Sequence, residues 1–189
     1  MRITGGEFGG RNLKVPKSDA IRPTQDRVRE ALFNIIQFEV AGCDFLDLFA
    51  GSGAVGLEAL SRGARSVTFV ESNRKHMAIL NENLSSLVPR PSSLTTKVVS
   101  ADAYRWLSSY SGPGFTIGFA DPPYALGEER GYASVLATLA ERGVIREGGL
   151  FIAEMTAVQK PEETPGWELI RDRTYGKTRL CMWRRMKGC

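Results

Sequence analysis

The sequence predicts an α/β fold: a mostly parallel, seven-stranded sheet with helices on both faces, closed by a C-terminal antiparallel hairpin. Three observations predict it. Short apolar runs alternate with stretches of helical periodicity from Cys43 to Met155, the pattern of strands whose crossovers pack helices on a sheet. The first run leads into a glycine-rich turn, Gly51-Ser52-Gly53, and such sheets place their ligands just beyond the carboxyl ends of the strands. The last two runs, 167–173 and 178–183, are four residues apart, too close for a crossover helix and suited to a hairpin.

Each element has its own local reason. Residues 1–17 carry Gly5-Gly6 and Gly9-Gly10 among alternating apolar positions Ile3, Phe8, Leu13 and Val15, which reads as a small hairpin or extended arm. Arg22-Pro23-Thr24 then opens a helix, with Thr24 as its N-cap and Asp26 in the first turn. Val28, Ala31, Leu32, Ile35 and Ile36 form one buried stripe along it. Strand 43–49 and helix 54–62 flank the glycine turn. Strand 66–70 ends in Glu71 and is followed by a helix over 73–87 with Met77, Leu80, Leu84 and Leu87 on one face. A loop through Pro89 and Pro91 leads to strand 95–99, with Asp102 just beyond it. A short helix over 104–110, strand 115–120, helix 131–142 and strand 149–155 follow, then the break at 161–166 and the hairpin. There is no internal repeat. The expected organisation is one domain, with a basic segment 1–20 ahead of a core over 21–189.

Composition excludes several classes of protein. Of the 189 residues, 42% are hydrophobic and 24% charged, an ordinary globular balance. No apolar run reaches the roughly 20 residues of a membrane span, and no signal peptide is evident. Cys43, Cys181 and Cys189 are odd in number and lack metal-ligand spacing, so neither a disulfide framework nor a metal site is expected, and a reduced cytoplasmic protein is. Net charge is +4, unevenly spread: residues 1–30 hold seven Lys/Arg against four Asp/Glu, and 171–189 hold seven against one. Basic termini around an acidic centre suit a polyanionic partner whose target reaches a separate pocket.

Two motifs carry chemistry. Asp121-Pro122-Pro123-Tyr124 follows the fourth strand. Its prolines cannot continue a ladder, leaving a carboxylate, rigid carbonyls and an aromatic ring, a set able to grip an amino group on a flat base. Gly51-x-Gly53-x-x-Gly56, with Glu71 twenty residues after Gly51, matches a dinucleotide fingerprint and admits a nicotinamide dehydrogenase. S-adenosylmethionine suits the surroundings better. Asp47, four residues before Gly51, favours a cationic amino acid end and repels a pyrophosphate. Asp102 can accept from an adenine amino group, and a hydride-transfer enzyme has no evident use for the Asp121 motif. His76, the single histidine, reads as structural or solvated.

The motifs Arg22-Pro23-Thr24-x-Asp26-Arg27-Val28-Arg29-Glu30, Leu46-Asp47-Leu48-Phe49-Ala50-Gly51-Ser52-Gly53, Gly56-Leu57-Glu58-Ala59-Leu60-Ser61-Arg62, Asp121-Pro122-Pro123-Tyr124 and Tyr175-Gly176 resemble those of the RsmD family over nearly the full length. These are Rossmann-like class I methyltransferases that modify a guanine N2 amine of 16S ribosomal RNA, at guanine 966 by that resemblance. The resemblance implies S-adenosylmethionine held by Asp47, Phe49, Gly51, Ser52, Gly53, Glu71, Ser72, Asp102 and Ala103. It implies Asp121 and the Pro122 carbonyl accepting the amine hydrogens, Pro123 stiffening the motif and Tyr124 stacking on the base. Arg2, Arg11, Lys14, Arg22, Thr24, Arg27, Arg29 and Lys177 would contact the RNA. The expected partner is 16S rRNA in the small subunit or an assembly intermediate, met by a monomer. Two rivals stand beside this reading: an adenine-N6 or cytosine-N4 methyltransferase acting on DNA, and a catalytically silent RNA-binding module.

Overall fold

The computed structural model describes residues 1–16, 23–88, 94–122 and 131–188, with the backbone alone at 23–25. Seven strands form one sheet, the strand count the sequence predicts. The chain divides into two compact units, Met1–Ala101 and Asp102–Cys189. No helix among the described residues is long and apolar enough to cross a membrane.

In the first unit, β1 (Asp44–Leu48), β2 (Ser66–Glu71) and β3 (Thr95–Ser100) pair in parallel, Leu48 opposite Val70 and Glu71 opposite Ser100. Phe45, Leu46, Leu48, Val67, Phe69 and Val70 are buried, as expected of strands covered on both faces. Each such side chain contributes roughly 1.5–3 kcal/mol by leaving water. Two further helices, α3 (Ala54–Ser61) and α4 (Arg74–Leu87), add Leu57, Leu60, Leu80, Leu84 and Leu87 to this core.

The first helix, α1 (Pro23–Ile35), departs from expectation at its start. Pro23 takes the first helical position, which suits its locked φ and missing N–H. Thr24 is therefore inside the helix rather than its N-cap. Of the expected stripe, Val28, Leu32 and Ile36 are buried while Ala31 and Ile35 are half-buried, and Phe33, outside the stripe, is buried as well. A second short helix, α2 (Gln37–Val40), has no signal in the apolar pattern.

Residues 1–13 form a hairpin, with Arg2 bridged antiparallel to Asn12 and Ile3 N–H donating to Arg11 O at 3.0 Å. The extended-arm alternative is overturned. Ile3, Phe8 and Leu13 are buried, and the backbone is bonded to α3. Thr4 N donates to Glu58 Oε2 at 2.8 Å, Glu7 N to Ser61 O at 2.7 Å and Phe8 N to Ser61 Oγ at 2.8 Å. At Gly6, φ is +76° and a Cβ would lie 1.9 Å from Ser61 O, so this close approach admits only glycine.

In the second unit, α5 (Ala103–Ser109), β4 (Phe115–Ala120), α6 (Tyr132–Glu141), β5 (Ile145–Thr156), β6 (Trp167–Tyr175) and β7 (Thr178–Arg185) follow in order. β4 and β5 are parallel, while β7 runs antiparallel to both β5 and β6. β5 starts four residues earlier than 149–155 implied, because Phe115 pairs with Ile145 and Ile117 with Leu150 across an irregularity. Arg146-Glu147-Gly148-Gly149 interrupts the apolar run, and Gly149 has no room for a Cβ, with Thr116 O at 2.9 Å. The hairpin turn is two residues rather than four: Tyr175 pairs with Thr178, and Gly176 has φ +61°. Such tight turns suit the twist of the strands and need positive φ. Trp167 Nε1 donates to Leu136 O at 3.0 Å, tying β6 to α6.

Candidate active site

The glycine turn leaves β1 through backbone that few residues adopt. Phe49 has φ +59°, Gly51 +57° and Gly53 +81°. A left-handed aromatic residue costs of order 1–3 kcal/mol and persists only where its surroundings hold it. Here Ala50 N donates to Val70 O at 3.1 Å and Gly53 N to Ala50 O at 2.7 Å. The three glycines differ in purpose. A Cβ on Gly53 would meet Leu80 Cδ1 at 2.2 Å, and one on Gly56 would meet the Phe69 ring at 2.3 Å. Both therefore serve packing of the turn on β2 and α4. A Cβ on Gly51 would meet only Phe49 O, at 3.9 Å, so Gly51 presents its backbone to open space.

Two carboxylates engage the turn. Asp47, 2% exposed, accepts from Gly56 N at 2.8 Å, where the start of α3 favours negative charge. Glu71, at the end of β2 and 8% exposed, accepts from Gly51 N at 2.8 Å through Oε2 and from Asn73 N at 2.7 Å through Oε1. His76 Nδ1 lies 3.9 Å from Glu71 Oε2. A pyrophosphate at such a fingerprint takes the N–H groups of the turn and helix start. Carboxylates hold two of them here, which argues against the dinucleotide reading. Among the described residues no cluster of His, Cys, Asp and Glu could hold a metal ion.

In the second unit, Asp102 is the N-cap of α5, its Oδ1 accepting from Arg105 N at 3.0 Å. It is exposed, whereas the adjoining Ala103 is buried. An open concavity on α5 is lined by Asp102, Tyr104, Arg105, Ser108 and Ser109. Asp121, half-buried, follows β4 directly, and Pro122 is buried. Pro123 and Tyr124 lie outside the described residues. Tyr132, at the start of α6, donates to Glu154 O at 2.8 Å. Burial first, then the charge of Asp121, push its phenol well above the ordinary value, so Tyr132 stays a neutral donor beside a carboxylate.

The whole chain has known counterparts. The family described as "Conserved hypothetical protein 95" matches residues 1–184. "Ribosomal RNA small subunit methyltransferase D" of Escherichia coli (strain K12) is 36% identical over 188 residues, covering 98% of this chain and 90% of that protein. The chain belongs to the RsmD family. A solved structure titled "Putative methyltransferase yhhF from Escherichia coli" superposes with a TM-score of 0.84 at 35% identity, covering 100% of this chain and 99% of that one. The fold is thus the Rossmann-like class I methyltransferase fold that the resemblance implied. A more distant structure shares the fold alone: "SMU.776, a putative methyltransferase complexed with SAH", at 19% identity and TM-score 0.66, covers 87% of this chain and 50% of that one.

Against the RsmD expectation for RNA contacts, one residue is corrected. Arg29 is 4% exposed. Its guanidinium bonds Glu58 Oε2 at 3.3 Å, Asp26 Oδ1 at 3.0 Å and the Arg2 carbonyl, so it braces the hairpin and has no reach to RNA. Arg2, Arg11, Lys14, Arg27 and Lys177 are exposed. Lys14 pairs with Glu82 at 2.8 Å, and the Arg11 guanidinium sits 5.4 Å from the Phe8 ring centroid. Arg22 and the Thr24 side chain lie outside the described residues. Ser52 is half-buried and Ser72 exposed. Sequence reasoning missed Asn73, which caps α4 by accepting from Lys75 N at 2.9 Å, and Asn83. The available signal for Asn83 was a polar residue on the apolar stripe of Leu80, Leu84 and Leu87.

Proposed function

We propose that this protein transfers a methyl group from S-adenosylmethionine to the N2 amine of a guanine in small-subunit ribosomal RNA. The observation carrying this reading is the end-to-end likeness to the Escherichia coli methyltransferase D, 36% identical across 98% of this chain. The residues fit the cofactor. Gly51 opens its backbone outward, and the turn is ringed by the acidic side chains of Asp47 and Glu71, which suit a cation rather than a pyrophosphate. When bound, the cofactor supplies an electrophilic methyl on a sulfonium. Gly51 would line its amino acid end on a turn that Gly53 packs into place, with Phe49, Ser52 and Asp47 setting the turn's shape. Glu71, followed by Ser72, would accept from the ribose hydroxyls while keeping Gly51 in place. Asp102 would accept from the adenine edge, with Ala103 behind it.

The guanine amine is a poor nucleophile because its lone pair is delocalised into the ring. Asp121 and the Pro122 carbonyl would accept its two hydrogens, favouring a pyramidal nitrogen with an available lone pair. Pro123 and Tyr124 would stiffen the motif and stack on the base. Catalysis would rest on orientation and electrostatics, without a covalent intermediate, and the base would have to leave its stack to be reached. Arg2, Arg11, Lys14, Arg27 and Lys177 would meet phosphates, which position the RNA without reading its sequence. Such a substrate places the reaction in the cytoplasm, on a ribosomal particle or assembly intermediate.

The test is transfer from labelled S-adenosylmethionine to unmodified small ribosomal subunits and, in parallel, to duplex DNA, with product nucleosides identified by mass spectrometry. N2-methylguanosine in the RNA is expected. Methyladenine or methylcytosine in the DNA would overturn the substrate. Asp121→Ala is expected to remove nearly all transfer and leave S-adenosylhomocysteine binding within about threefold of wild type. Equal loss of both would refute the separate duties.

A further inference from the structure

Asn83 sits on α4, 1% exposed, with its amide fully engaged. Oδ1 accepts from Lys14 N at 2.9 Å, and Nδ2 donates to Lys14 O at 2.9 Å and to Ser52 O at 2.9 Å. The pair of bonds to Lys14 imitates the exchange between two strands, so the segment leaving the N-terminal hairpin is held as if in a ladder. The remaining N–H reaches the middle residue of the glycine turn. One buried side chain thus joins two segments that lie 69 and 31 residues from it in sequence. The Lys14 ammonium takes no part, since it pairs with the neighbouring Glu82 on the exposed side.

The joint matters because of what it holds. Ser52 lies between Gly51 and Gly53, both at positive φ. Peptides flanked by glycine have the widest choice of conformation. Gly51 N is fixed by Glu71 and Gly53 N by Ala50 O. The Ser52 carbonyl, on the same peptide as Gly53 N, is fixed by Asn83, and without that bond the Ser52–Gly53 peptide is held from its N–H side alone. A ligand gripping a loose turn must order it on binding, which lowers affinity without altering the bound geometry.

We propose that Asn83 is a positioning residue that holds the glycine turn ready for the cofactor and couples it to RNA engagement at the N-terminal hairpin. The inference rests on the proposed function for the identity of both ligands. Because coupling between binding sites is reciprocal, substrate RNA on the hairpin should tighten cofactor binding, and Asn83 should transmit that gain.

The experiment titrates S-adenosylhomocysteine calorimetrically into wild type, Asn83→Ala, Asn83→Asp and Leu84→Ala, alone and with unmodified small ribosomal subunits. KM for S-adenosylmethionine and kcat are measured alongside. Leu84→Ala is the control for a merely destabilised α4. Loss of a buried hydrogen bond leads us to expect about a tenfold rise in KM and Kd for Asn83→Ala, with kcat at saturation within about threefold. Asn83→Asp matches the amide in shape but sets carboxylate oxygen against the Ser52 and Lys14 carbonyls, so it should bind at least as weakly. The gain in affinity on adding subunits should be present in wild type and lost in both Asn83 variants. A wild-type Kd for Asn83→Asp, a rise in Asn83→Ala no larger than in Leu84→Ala, or a gain on adding subunits that both variants retain would overturn the inference. If wild type binds no S-adenosylhomocysteine, the functional reading falls. If it binds but methylates nothing, the substrate falls, while the Kd series still decides the role of Asn83.

Discussion

Replacing Glu58 by glutamine tests what holds the N-terminal hairpin in place. Glu58 on α3 is wholly buried and accepts four bonds: Thr4 N at 2.8 Å, Thr4 Oγ1 at 2.7 Å, Arg29 Nε at 3.3 Å and Arg62 Nε at 2.8 Å. Glutamine keeps the shape and removes the charge. The 4%-exposed Arg29 is then left with Asp26 as its only ion-pair partner among the described residues. Breaking a buried ion pair from one side costs about 3–5 kcal/mol, because the remaining charge stays out of water. For a chain of this size 1 kcal/mol moves Tm by about 3 °C, so a fall of roughly 9–15 °C is expected. The assay is thermal and urea unfolding followed by circular dichroism, with hydrogen exchange at the Thr4 amide as a local probe. Arg62→Met should cost less, since Arg62 is 18% exposed and Glu58 keeps Arg29 and Thr4. A Glu58→Gln protein within about 1 kcal/mol of wild type, with Thr4 still protected, would refute the reasoning.

The glycines of the turn should separate by function: Gly51→Ala costs about 1–2 kcal/mol for a left-handed Cβ and acts mainly on cofactor affinity, read by calorimetry. Gly53→Ala and Gly56→Ala should be harder on folding, since their Cβ atoms would overlap Leu80 and Phe69, and urea midpoints will rank them. Arg27→Ala should weaken RNA binding and lower the salt slope by about one, whereas Arg29→Ala should lower Tm, and a reversed pattern would restore Arg29 as an RNA contact. Burial, with the charge of Asp172 next and Arg179 opposing, pushes the Cys181 thiol up to about 12 from 9.0. The unfolded chain therefore loses this proton first, so the stability it contributes is whole below pH 9 and declines from pH 9 towards 12. Urea midpoints should fall more steeply over that window in wild type than in Cys181→Ala, and equal slopes would exclude the effect.

Much of the fold is legible in the sequence because its signals are local. Apolar runs such as Phe45–Leu48 and the stripe of Leu80, Leu84 and Leu87 announce strands and helices whatever their neighbours. Gly51, Gly53 and Glu71 stand at a recognisable spacing, and Asp121 follows its strand directly. Local signals also mislead. The Arg-Glu-Gly-Gly interruption hid the start of β5, and Tyr175 and Thr178 pair across a tighter turn than apolar patterning implied. Arg29 reads as a surface cation beside Arg27, yet it is buried, because its partners Glu58 and the Arg2 carbonyl are 29 and 27 residues away.

The sequence by itself determined the kinds of element, their order and the family, and it singled out the residues now proposed to carry the chemistry. Only the tertiary structure decided how those residues are held: which glycine faces outward, that Glu71 pins Gly51, that Asn83 bridges hairpin and turn, and that Glu58 buries its charge. The physical reason is that periodicity and turn chemistry act between near neighbours. Whether a carboxylate or amide meets its partner depends on segments that only the packed core brings within hydrogen-bonding distance.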